Sequence, residues 1–229
     1  MSGYILLAGG AEFGGAMATV DRRALELAGG PDAPLVILPT AAAPDNNQAR
    51  AGRHGAGWFQ SLGATDVTVL PLHERRDAAN PDIVAALSGA RFIYLLGGFT
   101  HHLGQTLRES PAWAAMLTAY EAGAVVGGSS AGAMVLCEHY YDPGRSAVET
   151  GLGLVPNVCV LPHHNSFGYR WASRLAGRLP TTILLGIDER TGILNDGPAG
   201  KWRSYGAGGI TLYTEARRNG YQPVAPFPL

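Results

Sequence analysis

The sequence predicts an α/β fold, a three-layer sandwich in which a mostly parallel sheet is flanked by helices. Short apolar runs of strand length alternate with helix-like segments through most of the chain. Several of these runs end in glycine pairs, where the chain turns into the next helix. Near the end, 192–197 and 209–213 alternate in polarity, which predicts C-terminal β-hairpins on the sheet edge. A length of 229 residues favours a single domain, 1–229.

The first part of the chain contains four predicted strands joined by helices. The strands are expected over 4–8, 34–39, 65–70 and 91–98, and the helices over 16–29, 46–62, 80–88 and 111–122. The first, second and fourth strands are largely apolar, which is typical of buried parallel strands. The glycine-rich stretch from Gly9 to Gly15 lacks both the Lys-Ser/Thr of a P-loop and the spacing of a dinucleotide fingerprint, so nucleotide binding is not predicted.

The most informative stretch is 124–136, where an apolar run ends in two glycines and a small-residue helical segment follows. Gly128-x-Ser130-x-Gly132 fits a nucleophile elbow, a sharp strand-to-helix turn that exposes a serine hydroxyl. The glycines leave room where larger side chains would clash. The alternative interpretation is a plain Gly/Ser-rich connection between a strand and a helix.

A second glycine pair, Gly97-Gly98, ends the strand before the elbow strand. We therefore expect Gly98 and Ser130 to be neighbours. Acyl transfer requires two hydrogen-bond donors near the developing oxyanion, and the N–H groups of Ala131 and of Gly98 or its neighbour are candidates. A tight turn without a chemical role is the alternative for this glycine pair.

A serine nucleophile needs a base, and histidine is the usual one because its pKa lies near neutral pH. His163 and His164 follow a predicted strand over 158–162, and on extended backbone only one of them would face Ser130. Asp188 and Glu189 end the next strand, over 181–189, so one of them is a candidate orienting acid. The order serine, histidine, acid differs from that of the α/β-hydrolases, where the acid precedes the histidine.

The intervening segments are less distinctive. Residues 138–157 are predicted to be irregular, and 167–178 to be helical.

Four motifs together resemble peptidase family S51, which comprises aspartyl dipeptidase (peptidase E) and cyanophycinase. They are Leu95 to Thr100, Gly127 to Ala133, Gly151 to His163 and Leu185 to Glu189, in the family's order. The resemblance covers most of the chain and implies a sheet like that of class I glutamine amidotransferases. It implies Ser130 as nucleophile, His163 as base and Glu189 as acid. It also implies an oxyanion hole at Gly98 and Ala131, with no metal and no organic cofactor.

Predicted substrate-binding residues are Phe99, Thr100, His164 and Arg170. Phe99 replaces the family's usual Asn or Asp after the glycine pair, and His164 replaces an aromatic residue after the histidine, so Asp-X specificity does not follow. Arg170 lies near a position where relatives keep arginines suited to a substrate carboxylate. A solvated helix position is the alternative for Arg170.

Composition excludes several other classes of function. Seventeen basic and 18 acidic residues give a net charge of −1, with no basic run for nucleic acid or an anionic membrane. No apolar run has the length of a membrane span or the form of a signal segment, so a cytoplasmic protein is expected. Cys137 and Cys159 are expected to be buried free thiols.

His101, His102, His163 and His164 are a further candidate, as a metal cluster, but their spacing does not favour one. Oligomeric state is undetermined, and a homodimer is left open.

The sequence thus supports a serine exopeptidase that hydrolyses dipeptides or tripeptides through a Ser-His-Glu triad and an acyl-enzyme. Two alternatives stand beside it: a cyanophycinase-like isopeptidase, and a non-catalytic peptide or small-molecule binding protein on the same scaffold.

Overall fold

A computed structural model describes residues 3–214 and 217–221, and the side chains of residues 3–214. The strands are β1 Tyr4–Ala8, β2 Leu35–Leu38, β3 Val67–Val69, β4 Phe92–Leu95, β5 Val125–Ser129, β6 Cys137–Asp142, β7 Ala147–Thr150, β8 Val155–Leu161, β9 Ile183–Ile187, β10 Thr191–Leu194, β11 Arg203–Gly206, β12 Ile210–Thr214 and β13 Arg217–Tyr221. The α-helices are α1 Ala18–Ala28, α2 Gln48–Ser61, α3 Pro81–Gly89, α4 Thr100–Leu107, α5 Pro111–Glu121, α6 Ala131–Leu136 and α7 Ala172–Ala176. Short 3₁₀ segments occupy Gly15–Met17, Thr40–Asp45, Asp77–Ala79, Gly168–Trp171 and Pro198–Gly200.

The first sheet has seven strands in the order β11-β10-β1-β5-β4-β2-β3. Strands β1 to β5 pair in parallel, and the β10–β11 hairpin adds to β1 in the antiparallel direction. The carboxyl ends of β4 and β5 therefore meet at one edge of the sheet, which is where α/β proteins place their ligand sites.

Helices cover both faces of this sheet, as the alternation of its strands requires. Leu6 and Ala8 face a core cluster that contains the apolar residues of α1 and α2. Ile5 and Leu7 face the opposite cluster, which contains those of α3 to α6. The predicted α/β class and the flanked parallel sheet are confirmed.

A second sheet of six strands follows the elbow helix, in the order β13-β12-β9-β8-β6-β7. Strands β6, β8 and β9 pair in parallel, whereas β7, β12 and β13 add in the antiparallel direction. Val160 of β8 and Leu185 of β9 belong to the same core cluster as Ile5 and Leu7, so the two sheets share one interior.

The two predicted C-terminal hairpins form, but on different sheets. The first, β10–β11, extends the first sheet, and the second, β12–β13, extends the second sheet. The segment expected to be irregular contains most of the β6–β7 hairpin, whose strands are only partly buried. The helix expected over 167–178 is a 3₁₀ turn at Gly168–Trp171 continued by α7.

Candidate active site

Ser130 lies in a sharp turn between β5 and α6. Its backbone has φ +50° and ψ −111°, a combination that side-chain-bearing residues rarely adopt. Such strain costs about 1–3 kcal/mol and is typical of active-site turns. The glycines around it are sterically required: a Cβ on Gly128 would overlap the backbone of Gly132, and one on Gly132 would overlap the carbonyl of Leu95. The geometry is that of a nucleophile elbow.

A hydrogen-bonded chain runs from Ser130 through His163 to Glu189. His163 Nδ1 lies 2.8 Å from Glu189 Oε1, and His163 Nε2 lies 3.1 Å from Ser130 Oγ. A carboxylate only accepts hydrogen bonds, so Nδ1–H donates to Glu189 and Nε2 is left to accept from the serine hydroxyl. This is the tautomer a general base needs in order to take the serine proton.

His163 is fixed in place by its neighbours. Its backbone has φ +49°, so the segment is not extended there, contrary to the expectation from sequence. The His163 N–H donates to the carbonyl of Gly9 at 2.6 Å, and the imidazole lies so close to Gly10 that a Cβ there would overlap it. The ring of Phe167 stacks on the imidazole with centroids 4.9 Å apart.

Glu189 is oriented by Asn165, whose Oδ1 accepts from the Glu189 N–H at 2.9 Å. Asn165 and Phe167 were not predicted from the sequence. Both lie within four residues of His163, and that proximity is the sequence signal for them.

The Gly97-Gly98 turn lies against the nucleophile, which confirms the predicted juxtaposition. The position of a Cβ on Gly97 is 3.2 Å from the Cβ of Ser130. Gly98 has φ +140°, and a Cβ there would overlap the carbonyl of Ala41, so only glycine fits. Ala131 is the first residue of α6, and its N–H belongs to the unpaired first turn. The oxyanion-hole role of Gly98 and Ala131 stays a prediction.

The predicted substrate-binding residues differ in how far their side chains are exposed. Phe99 is 50% exposed beside Gly98. Thr100 is buried, and its hydroxyl lies 3.7 Å from the sulfur of Met134, so its side chain packs α4 against α6. A substrate contact by Thr100 stays a prediction.

His164 and Arg170 do not join the Ser130 triad. His164 is buried, with Nε2 2.9 Å from the hydroxyl of Tyr213 and Nδ1 3.4 Å from Asp188. It borders a cavity of about 620 Å³ that Asp188 and Tyr213 also line. The Arg170 guanidinium is exposed, and its Nε donates to the hydroxyl of Tyr169. A substrate contact by either residue stays a prediction.

Another cavity, of about 430 Å³, opens beside the oxyanion glycines. Gly97, Gly98, Glu12, Phe13 and His54 are among the residues that line it. Glu12 Oε2 accepts a hydrogen bond from the hydroxyl of Ser129, the residue before the nucleophile, at 2.8 Å. Glu12 was not predicted from the sequence, where the glycine-rich loop around it fits no nucleotide-binding motif.

Two polar residues lie buried behind Glu12. Burial raises the pKa of Asp21 to about 7, although the indole N–H of Trp58 donates to its Oδ2 at 2.8 Å. Burial also raises the pKa of the Tyr94 hydroxyl well above its usual range. Among the residues with described side chains, Asp21 Oδ1 and the Tyr94 hydroxyl have no hydrogen-bond partner.

Both cysteines are buried free thiols, as predicted. Burial raises the pKa of Cys159 to about 12 and that of Cys137 well above its usual range, which makes both poor nucleophiles.

The described residues 3–214 and 217–221 offer neither a metal site nor a membrane-spanning helix. Over those residues, no three His, Cys, Asp or Glu side chains are grouped so that they could hold a metal ion. The same residues contain no helix with the length and apolar character of a membrane span. The four histidines considered as a metal cluster have separate partners, for example Tyr140 for His101 and the carbonyl of His73 for His102.

Comparison with known proteins decides the family. The model of peptidase family S51 matches residues 5–200, a range that contains the whole Ser130–His163–Glu189 chain. The protein belongs to peptidase family S51. It is therefore a member of a hydrolase family, and its predicted resemblance is confirmed.

Curated relatives of this S51 protein are named cyanophycinase. One from Synechococcus elongatus is 32% identical over 81% of this chain and 60% of its own length. Another, from Nostoc sp. PCC 7120, is 30% identical over 82% of this chain and 65% of its own length. The chain thus spans less than two thirds of the length of these relatives.

Solved structures support the same family. A peptidase from an acI-B1 Actinobacterium superposes with a TM-score of 0.87 at 28% identity, covering 100% of this chain and 98% of its own. A Listeria monocytogenes EGD-e structure described as a candidate peptidase E has a TM-score of 0.65 at 19% identity, covering 91% of this chain and 100% of its own. At that identity the second likeness shows the fold alone.

Proposed function

We propose that this S51 protein is a serine exopeptidase that cleaves dipeptides or tripeptides through Ser130, His163 and Glu189. The observation that carries the proposal is the chain of contacts of 3.1 and 2.8 Å linking serine, imidazole and carboxylate at a strained elbow. A serine held in this way has its base and the orienting group of that base within hydrogen-bond distance.

The reaction follows from the protonation states. Ser130 Oγ attacks the scissile carbonyl while His163 Nε2 takes its proton, and Glu189 stabilises the imidazolium that forms. The oxygen that becomes negative accepts from the N–H groups of Gly98 and Ala131. Collapse of the tetrahedral species breaks the C–N bond, and the amine leaves with the proton from His163. Water then hydrolyses the acyl-enzyme by the same steps in reverse.

The surroundings of the triad supply surfaces for a short substrate. Among residues 3–214, the large hydrophobic side chains that are exposed are Phe99, Phe167 and Tyr169. Phe99 follows the oxyanion glycines, and the other two lie in the loop after His163. Exposed apolar groups beside a candidate site favour ligand contact. Phe99 is therefore kept as a proposed substrate contact, and Arg170 as a proposed contact for a substrate carboxylate.

The test is hydrolysis of a mixed dipeptide and tripeptide library, followed by mass spectrometry. Ser130→Ala should reduce cleavage by at least about 10³-fold, because removing a triad nucleophile removes most of the catalytic effect. Ser61→Ala, at the exposed end of α2, is the matched control and should cleave like the wild type. Equal cleavage by Ser130→Ala and wild type would exclude the serine mechanism.

A second candidate is a cyanophycinase-like isopeptidase, favoured by the 32% identity to a protein named cyanophycinase. It uses the same triad, so the two candidates differ only in substrate. Cleavage of a polymer of β-Asp-Arg units without cleavage of the peptide library would favour this candidate. Cleavage of neither, with no labelling of Ser130 by a fluorophosphonate, would favour a binding protein on the same scaffold.

A further inference from the structure

A carboxylate lies beside the nucleophile without belonging to the triad. Glu12 Oε1 is 3.5 Å from the Cβ position of Gly97, and that position is 3.2 Å from the Cβ of Ser130. Glu12 therefore borders the same space as the serine and the turn that carries the Gly98 N–H. The other carboxylate oxygen is anchored by the buried Ser129 hydroxyl at 2.8 Å, so the group cannot swing away without losing that bond.

The loop that carries Glu12 is held in an unusual conformation. The residues on either side of it, Ala11 and Phe13, have φ +51° and +63°, although neither is glycine. Backbone strain of this kind is retained where a side chain must be held in one place. The aromatic ring of Phe13 packs between His54 and Tyr94, with centroids 5.3 and 5.9 Å away, which fixes the loop on the sheet.

The charge of Glu12 opposes the proposed reaction unless a cation neutralises it. A negative oxyanion forming at the Gly98 turn would be repelled by a neighbouring carboxylate. Within residues 3–214, the ion pairs involve other carboxylates, and none includes Glu12. Arg50 lines the same cavity but makes no ion pair with Glu12, so a cationic group of the substrate can supply the positive charge beside the carboxylate.

The position of Glu12 selects which substrate cation fits. In a peptide with a free amino terminus, the α-ammonium nitrogen is two bonds from the first carbonyl carbon. A group that binds it must lie next to both the nucleophile and the oxyanion hole, as Glu12 does. The cationic end of a lysine or arginine side chain lies several bonds farther away.

We infer that Glu12 binds the α-ammonium group of the substrate's first residue, so that the enzyme cleaves after the amino-terminal residue. This inference rests on the proposed function, because it assigns a role only if Ser130 attacks a carbonyl. The bound ammonium neutralises the carboxylate before the oxyanion forms. Glu12 is thus a specificity-determining residue, and the cavity of about 430 Å³ beside it receives the side chain of that first residue.

The experiment compares binding of two boronic acids to Ser130. One is 1-aminoethylboronic acid, an analogue of an amino-terminal alanine, and the other is its N-acetyl derivative. In each case a bond forms between Ser130 Oγ and boron, the serine proton moves to His163, and no group leaves. The wild type should bind the free amine about 10- to 100-fold more tightly, the range expected for a partly buried charge-assisted hydrogen bond.

Three variants distinguish the effect of the Glu12 charge from the effect of a change in the structure around it. Glu12→Gln should reduce the preference for the free amine to within about threefold, while binding the N-acetyl compound like the wild type. Ser129→Ala keeps the carboxylate but removes its anchor, so the preference should fall only partly. Asp66→Asn removes an exposed carboxylate before β3 and should retain the full preference.

Each failure has a distinct meaning. No preference in the wild type, an unchanged preference in Glu12→Gln, or equal weakening of both compounds would overturn the role of Glu12. Tighter binding of an N-acetyl lysine analogue than of the N-acetyl alanine analogue would overturn it in favour of side-chain recognition. In all of these cases, loss of binding in Ser130→Ala would still support the serine mechanism. If neither compound bound the wild type, the proposed function and the inference would both be rejected.

Discussion

Two histidine–acid pairs lie side by side in this protein, and only one of them contacts a serine. His163 pairs with Glu189 at 2.8 Å, whereas the next residue, His164, pairs with Asp188 at 3.4 Å. Each imidazole lies against a glycine, Gly10 for His163 and Gly186 for His164, so closely that a Cβ would overlap the ring. The side chain of His163 is 22% exposed and that of His164 only 7%.

The comparison shows that the residue types alone do not make the site. Both pairs have an imidazole, a carboxylate and a hydroxyl within hydrogen-bond distance, because Tyr213 lies 2.9 Å from His164. Only the first hydroxyl belongs to a strained elbow with adjacent N–H donors. The second pair instead links two segments of the chain, since Asp188 Oδ2 also accepts a hydrogen bond from the N–H of Gly209 at 2.9 Å. One pair is proposed for chemistry, and the other for holding the loops in place.

The largest expected effect comes from deleting each imidazole in turn. His163→Ala should reduce kcat by about 10³-fold, because Ser130 loses its base. His164→Ala should leave kcat within a few-fold, but lower the free energy of unfolding by about 2–4 kcal/mol through a buried cavity and a lost partner for Asp188. Steady-state kinetics and urea unfolding of both variants measure the two quantities. Equal losses of kcat in the two variants would show that the two histidine–acid pairs do not differ in catalytic role.

A smaller effect is expected when each carboxylate is made neutral. Glu189→Gln should reduce kcat by about 10²- to 10³-fold, because an amide does not stabilise the imidazolium and favours the wrong tautomer. Asp188→Asn should change kcat little and reduce the urea midpoint. A kcat loss confined to Asp188→Asn would reverse the assignment.

Alanine substitutions at the two glycines that lie against the imidazoles compare the two pairs by a smaller change. A Cβ on Gly10 would push the His163 ring away from Ser130, and a displacement of about 1 Å can cost about 10²-fold in rate. Gly10→Ala should therefore lose activity, with additional strain because Gly10 has φ +112°. Gly186→Ala should push on His164 and lower the free energy of unfolding by about 1–3 kcal/mol, with a smaller loss of activity. Melting curves recorded with kinetics distinguish the two outcomes.

The smallest effect on activity is expected at Asp21, a buried carboxyl without an imidazole partner. Its pKa is raised from 3.8 to about 7, so the folded protein keeps a proton that the unfolded chain loses between these values. The free energy of unfolding should therefore fall as pH rises through this window, by about 3 kcal/mol between pH 5 and pH 8, and level off above it. Asp21→Asn keeps an acceptor for Trp58 and should abolish that fall while leaving kcat within about twofold.

Urea unfolding at pH 5 and pH 8 measures this difference directly. A wild type that is equally stable at both values, after correction for other titrating groups with the Asp21→Asn control, would show that Asp21 ionises normally in the folded state.

The first sheet could be predicted because its strands are nearly continuous apolar runs. Strands such as β1 and β4 are buried on both faces, and their apolar runs, bounded by turn signals, are shorter than typical helices. The division into two sheets could not be predicted. A largely buried strand such as β8 has the same pattern whichever sheet it joins, and β7 is only partly buried.

The site was predictable to a different degree at each residue. The elbow has a local signal, because Gly128, Ser130 and Gly132 must lie within five residues of one another. The choice between the two histidines depended on family resemblance, since the alternation argument assumed extended backbone and His163 has φ +49°. Glu12 carries no local signal, because its neighbours Ser129 and Gly97 are more than 80 residues away in sequence, and only the folded sheet brings them together.

The division of the triad between two sheets has a consequence for the newly made protein. Ser130 follows a strand of the first sheet, whereas His163 and Glu189 follow strands of the second. A chain emerging from the ribosome therefore has its serine long before it has the base and the acid. Until Glu189 has been synthesised and the second sheet has docked, that serine is an ordinary alcohol. The proposed nucleophile thus gains its base and its orienting acid only once the two sheets have come together.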